Sequence, residues 1–157
     1  MYQLIFDGPL YSVNKTNSDK KDEFQKALKS LFLSKYEKQN FKGHNDSKTN
    51  YYFLMTYLYK GRLVRDIDNI LKHTIDAFIK LMYKDDRSIK FCLSQAINCD
   101  NNISMIDITN LDADVILKIQ DFMQNIDYLG EETAITYIEC GHLTDKFYHI
   151  NLEELWK

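Results

Sequence analysis

Between Arg62 and Ser88 the chain reads RLVRDIDNILKHTIDAFIKLMYKDDRS. Its apolar residues Ile70, Leu71, Ile75, Phe78, Ile79 and Met82 recur at three- and four-residue spacing, which predicts a helix from Asn69 to about Tyr83. The preceding stretch, residues 51–60 (YYFLMTYLYK), is aromatic and rich in strand-favouring side chains, so a largely buried strand is expected there. The following stretch, residues 89–97 (IKFCLSQAI), is expected to be another. A strand, a helix and a strand are thus expected in succession, with the acidic residues at the joints.

Working outward, residues 2–6 (YQLIF) read as a first short strand, and Gly8-Pro9 break it. From Lys20 to about Gln39, Phe24, Ala27, Leu28, Leu31, Phe32 and Tyr36 mark an amphipathic helix introduced by the capping cluster Asn17-Ser18-Asp19. Its lysines form a solvated face or a stripe for a DNA backbone. Residues 40–50 are loop. Residues 103–108 (ISMIDI) are expected to pair with 89–97 as a hairpin. From Asp112, the spacing of Val115, Ile116, Ile119, Phe122, Met123 and Ile126 predicts a third helix ended by Gly130. A strand at 134–140 (AITYIEC) and a short terminal turn from Asn151 follow.

At 157 residues and 45% hydrophobic content the chain suits one domain with a real core. No apolar run approaches the ~18 residues of a membrane span, and the N-terminus lacks the pattern of a signal peptide. Cys92, Cys99 and Cys140 are odd in number and widely spaced, so reduced thiols and a cytoplasmic location are expected. The net charge of −3 hides an asymmetry: residues 1–90 carry 17 Lys and Arg against 11 Asp and Glu, and residues 91–157 carry 3 against 12. A basic half can meet nucleic acid and an acidic half cannot.

The central stretch also carries the chemistry. Asp66 and Asp68 point to one side if the backbone is extended. If Asp68 opens the helix, they sit together at its junction. Either way their oxygens can converge on a hard cation such as Mg²⁺, which suits phosphodiester chemistry. The plain alternative is that one of them only caps the helix. Lys72, four residues after Asp68, can stabilise charge on a phosphate or simply pair with Asp68, worth about 0.3 kcal/mol. Asp76 extends that ladder by one more turn. Asp85 and Asp86 follow the helix, where acidic groups are mildly unfavourable against the dipole. They either face water or belong to the metal site.

The string RDIDNILKHTIDAFIKLMYKDD resembles the signature of the RusA family of Holliday junction resolvases. Asp66, Asp68, Asn69, Ile70, Lys72, Asp76, Ala77 and Asp85-Asp86 meet that signature, and Phe78 stands where leucine is usual. Pro9, Ser12 and Asn14 of PLYSVN look like the family's P-x-S-x-N element. The resemblance covers roughly residues 1–109. It implies an α+β fold, a small mixed or antiparallel sheet packed with helices, and a homodimeric endodeoxyribonuclease that cuts branched DNA with Mg²⁺, or alternatively Mn²⁺. Asp66, Asp68 and Asp86 would be the metal-binding catalytic carboxylates and Lys72 the functional lysine. Asp85, Asp76 and Asn69 would support them, and Asn14, Lys15 and Arg65 would bind substrate. The chain departs from the family in being acidic and in continuing beyond residue 110. Residues 1–110 are therefore read as a RusA-like core, and 111–157 as an acidic helix-and-strand extension packed on the same domain that offers a surface to a protein partner. The rival readings are a non-catalytic DNA- or protein-binding module on this fold and a nuclease for other branched or flap DNA.

Overall fold

The computed structural model describes residues 1–7, 18–36, 49–63, 66–100, 108–124 and 133–143. They form β1 (Tyr2–Phe6), α1 (Ser18–Tyr36), β2 (Tyr51–Lys60), α2 (Ile67–Ala77), β3 (Ile89–Asn98), α3 (Ala113–Gln124) and β4 (Thr133–His142). The class is α+β, with a four-stranded mixed sheet in the order β1-β4-β2-β3. β4 is antiparallel to both of its neighbours, and β2 is parallel to β3. The strand expected at 103–108 falls almost entirely outside the described residues, as do the N-terminal PLYSVN element and the terminal turn.

The topology follows from handedness. β1, β2 and β3 run the same way and succeed one another in one direction across the sheet. Right-handed crossovers therefore put α1 and α2 on the same face. On that face one core joins Phe24, Leu28 and Phe32 of α1, Ile70 and Ala77 of α2, and Phe53, Met55 and Tyr57 of β2. The chain returns through α3 on the opposite face. There Val115, Ile119 and Phe122 pack on Ile5, Leu58 and Ile135. The period-2 alternation of β2 divides its side chains between these two cores.

α2 is shorter than its apolar spacing predicts. It ends at Ala77, and residues 78–83 turn back on themselves. Lys80 adopts φ 65°, its N–H donates to Tyr83 O at 2.7 Å, and the Leu81 and Met82 N–H groups donate to Phe78 O. The Tyr83 phenol then donates at 2.6 Å to Ile75 O, a carbonyl at the helix end that also accepts from the Phe78 N–H. This turn carries Phe78, Met82 and Tyr83 into the core, all fully buried. A continued helix would place them by rotation of about 100° per residue, so the tertiary contacts override the local period.

The acidic C-terminal part is integral to the sheet. β4 lies between β1 and β2, so β1 has no sheet partner among the described residues except β4. The charge boundary near residue 110 thus does not coincide with a break in the sheet.

Candidate functional site

β2 ends at Lys60, and six residues later Asp66 takes the N-cap position of α2 with extended backbone (φ −88°, ψ 113°). Its carbonyl accepts from the Ile70 N–H at 3.3 Å, but its side chain makes no capping hydrogen bond. The plain capping explanation therefore does not account for the Asp66 carboxylate. Instead that group faces Asp68 in the first turn. Asp66 is held above the ordinary carboxylate range by the neighbouring Asp68 carboxyl, while Asp68 is held below it by Asp66 and by backbone N–H groups of the first turn. Such a pair titrates as a unit. Both groups are exposed. Asn69 donates its side-chain amide to Asp66 Oδ2 at 3.1 Å and helps fix the carboxylate.

Lys72 lies one turn further on and is exposed. Among the described residues it forms neither of the ion pairs that the charged-ladder alternative requires. Asp76 turns away from that ladder: its carboxylate meets Lys21 of α1 at 3.9 Å and ties the two helices together. Asp85 caps the short 3₁₀ turn Asp86–Ser88, accepting from the Arg87 N–H at 2.9 Å.

Asp86 is exposed at the start of that turn, just before β3. β2 and β3 are parallel ten-residue strands with Tyr51 opposite Ile89. The end of β2 leading toward Asp66 and the start of β3 therefore lie at opposite edges of the sheet. α2, about 16 Å long at 1.5 Å per residue, runs back between those edges. Asp86 sides with the C-terminal end of α2, where burial, then Cys140, Asp76, Cys92 and Asp86 in turn, push the Tyr83 phenol upward. Among the described residues no three His, Cys, Asp or Glu side chains gather closely enough to hold a metal ion. The single three-carboxylate cluster expected of Asp66, Asp68 and Asp86 is thus divided into a pair and a separate residue. The α2 helix and the compact turn after it keep them apart. Asn14, Lys15 and Arg65 lie outside the described residues.

The donor set can be tested against Mg²⁺ by its chemistry. Two exposed carboxylates set side by side repel one another once both ionise, and a divalent cation relieves that repulsion. Mg²⁺ commonly takes one or two protein carboxylates and fills its other positions with water and substrate phosphate. The Asp66–Asp68 pair fits that pattern without a third protein ligand.

Sequence reasoning passed over a second polar cluster, formed by Tyr52, Tyr137 and Glu139. The Tyr52 phenol donates to Glu139 Oε1 at 2.7 Å, and the Tyr137 phenol donates to Oε2. Tyr137 and Glu139 are two apart on one strand, so their common face was legible. Tyr52 joins them only through the β2–β4 register, which sets Leu54 opposite Glu139 and Tyr52 opposite Gly141.

In comparisons with known proteins, no family model matches the chain, and no significant match to a curated protein was found.

Proposed function

We propose that the protein is a Mg²⁺-dependent endodeoxyribonuclease acting on branched DNA, with Holliday junction resolution as its activity. The observation that carries this reading is the pairing of the Asp66 and Asp68 carboxylates at the N-terminus of α2, where Asp66 caps nothing with its side chain and Lys72, one turn away, makes no ion pair among the described residues. The resemblance of Asp66 to Asp86 to the RusA signature supplies the substrate class. Asp66 and Asp68 would hold the metal, with Mn²⁺ as the alternative ion. When bound, it would polarise the scissile phosphate and lower the pKa of a water. Asn69 orients the Asp66 carboxylate. Lys72 would place its ammonium against the phosphate and stabilise the charge that grows there. The positive end of the α2 dipole adds to the attraction for a phosphate.

Asp86 enters this proposal as the third carboxylate that the resemblance implies. In a homodimer, a second copy of the chain supplies one route by which it can reach the pair. The separation of Asp86 within one chain favours the rival reading, a non-catalytic DNA- or protein-binding module. The two are distinguished by Mg²⁺-dependent nicking of four-way, flap and linear DNA. Selective cutting of the four-way junction supports the proposal, and junction binding without nicking supports the module. Metal binding gives a separate readout: Mn²⁺ titration followed by electron paramagnetic resonance should show a site that the double variant Asp66→Asn, Asp68→Asn lacks. An unchanged site in that variant removes the metal assignment.

A further inference from the structure

α3 covers only part of the sheet face opposite α1 and α2. Beside it, over β2 and β3, lies a cavity of about 640 Å³, within the range of small-molecule sites. Its walls include Leu54, Leu93, Ile97 and Ile119, and Glu139 lies in its lining with Tyr52 and Tyr137. Both oxygens of the Glu139 carboxylate are held by phenol donors, and each keeps a further acceptor direction. Burial first, and the bond to Glu139 second, push both phenols upward, so they stay neutral donors. Among the described residues no Lys, Arg or His side chain lines the cavity.

The cluster depends on a local absence of side chain. A Cβ at Gly141 would stand 2.7 Å from Tyr52 Cε1 and 2.9 Å from its phenol oxygen. The bare backbone of β4 therefore lets the Tyr52 ring lie across it and reach Glu139.

We propose that this cavity binds a small organic cation, an ammonium group carried on an apolar aryl or alkyl body. The apolar walls favour the body. Among the described lining residues Glu139 carries the one charged side chain, beside the α-ammonium of Met1, and its fixed carboxylate accepts a charge-assisted hydrogen bond from the head group. The two tyrosine rings add cation–π attraction. The Glu139 carboxylate disfavours anions in its immediate neighbourhood, which separates this site from a phosphate-binding surface. It also lies on the other side of the sheet from α2, since Tyr52 and Leu54 alternate with Tyr51 and Phe53 of the α1–α2 core. Occupancy of the cavity is therefore independent of the nuclease reading.

The test is a methyl and amide NMR titration of the full chain with 4-phenylbutylammonium, 4-phenylbutanol and 4-phenylbutyrate. The ammonium compound should give saturable shifts at the Leu54, Leu93 and Ile97 methyls, bind about tenfold more tightly than the alcohol, and the carboxylate should give none. Glu139→Gln should bring the ammonium affinity down to that of the alcohol while leaving the alcohol unchanged. Equal shifts from the carboxylate, shifts confined to other parts of the protein, or unaltered ammonium binding by Glu139→Gln overturn the proposal. So do shifts of the same methyls on raising protein concentration alone, which assign the cavity to a second copy of the chain. The three-ligand comparison on the wild-type protein decides the matter by itself if the Gln variant fails to fold.

Discussion

The carboxylates of Asp66 and Asp68 stand side by side at the start of α2, whereas two other acidic residues of the central stretch serve the fold directly. Asp76 bridges to Lys21, and Asp85 caps a turn. Asp66, although at the N-cap, caps nothing with its side chain. Residue-scale chemistry of another kind surrounds His73. It is buried on α2, and burial, then the ammonium of Lys21 on α1 and that of Lys72, hold its imidazole below the ordinary range, with Asp76 acting in the opposite sense. Its folded pKa is thus below its unfolded one. The contribution of neutral His73 is present above the unfolded value, near 6.5, and is lost as pH falls through the folded value. Thermal unfolding followed from pH 7 to pH 5 should show a loss of Tm that is smaller in His73→Leu than in the wild type. An identical pH dependence in the two proteins contradicts this account.

At the scale of elements, the turn after α2 does most to determine where the site residues stand. Phe78 sits between Phe32 of α1 and Phe53 of β2, with ring centroids 5.8 and 6.2 Å away. Phe78→Ala should lower the unfolding free energy by about 3–5 kcal/mol in chemical denaturation, and a loss below about 1 kcal/mol would show that the turn is not anchored by this ring. The elements themselves were largely legible. The periodicity of Phe24 to Tyr36 and the aromatic run 51–60 mark α1 and β2, since each buries one consistent face. The end of α2 was not legible, because Phe78, Ile79 and Met82 keep helical spacing while the backbone leaves the helix at Ala77. What ends it is a set of contacts with β2 and α1, distant in sequence. For the same reason the expectation that Asp66, Asp68 and Asp86 form one cluster was read from a motif in one dimension, and the parallel register of β2 and β3 separates them. Tyr52 with Glu139 was equally hidden, because the two partners are 87 positions apart in the chain.

For the whole molecule, the placement of β4 changes the meaning of the acidic C-terminal part. By charge it looks like an appendage on a basic core. In the sheet it is the strand that joins β1 to β2, with both edges hydrogen bonded. Removing residues 111–157 strips β1 of its pairing and exposes one side of β2, along with the apolar surface under α3. Circular dichroism and amide NMR of residues 1–110 should therefore show loss of cooperative unfolding and of dispersed signals, whereas a dispersed spectrum like that of the full chain contradicts the integral role of β4. A consequence for function follows. The acidic part cannot be tested as a removable mask on a DNA-binding face, and point substitutions on its exposed surface, such as Asp121→Asn on α3, are the appropriate probes. Among the described residues no helix is long and apolar enough to cross a membrane.

The proposal rests on the Asp66–Asp68 pair, and the most direct measurement is cleavage of a synthetic four-way junction in Mg²⁺ by the wild type and by Asp68→Asn. The wild type should cut the junction. The variant should lose the activity by a factor on the order of a thousand, since several kcal/mol of metal-borne stabilisation are withdrawn at about 1.4 kcal/mol per tenfold, while still retarding the junction in a gel. Cleavage by Asp68→Asn at the wild-type rate, or a wild type that binds the junction and never cuts it, contradicts the account.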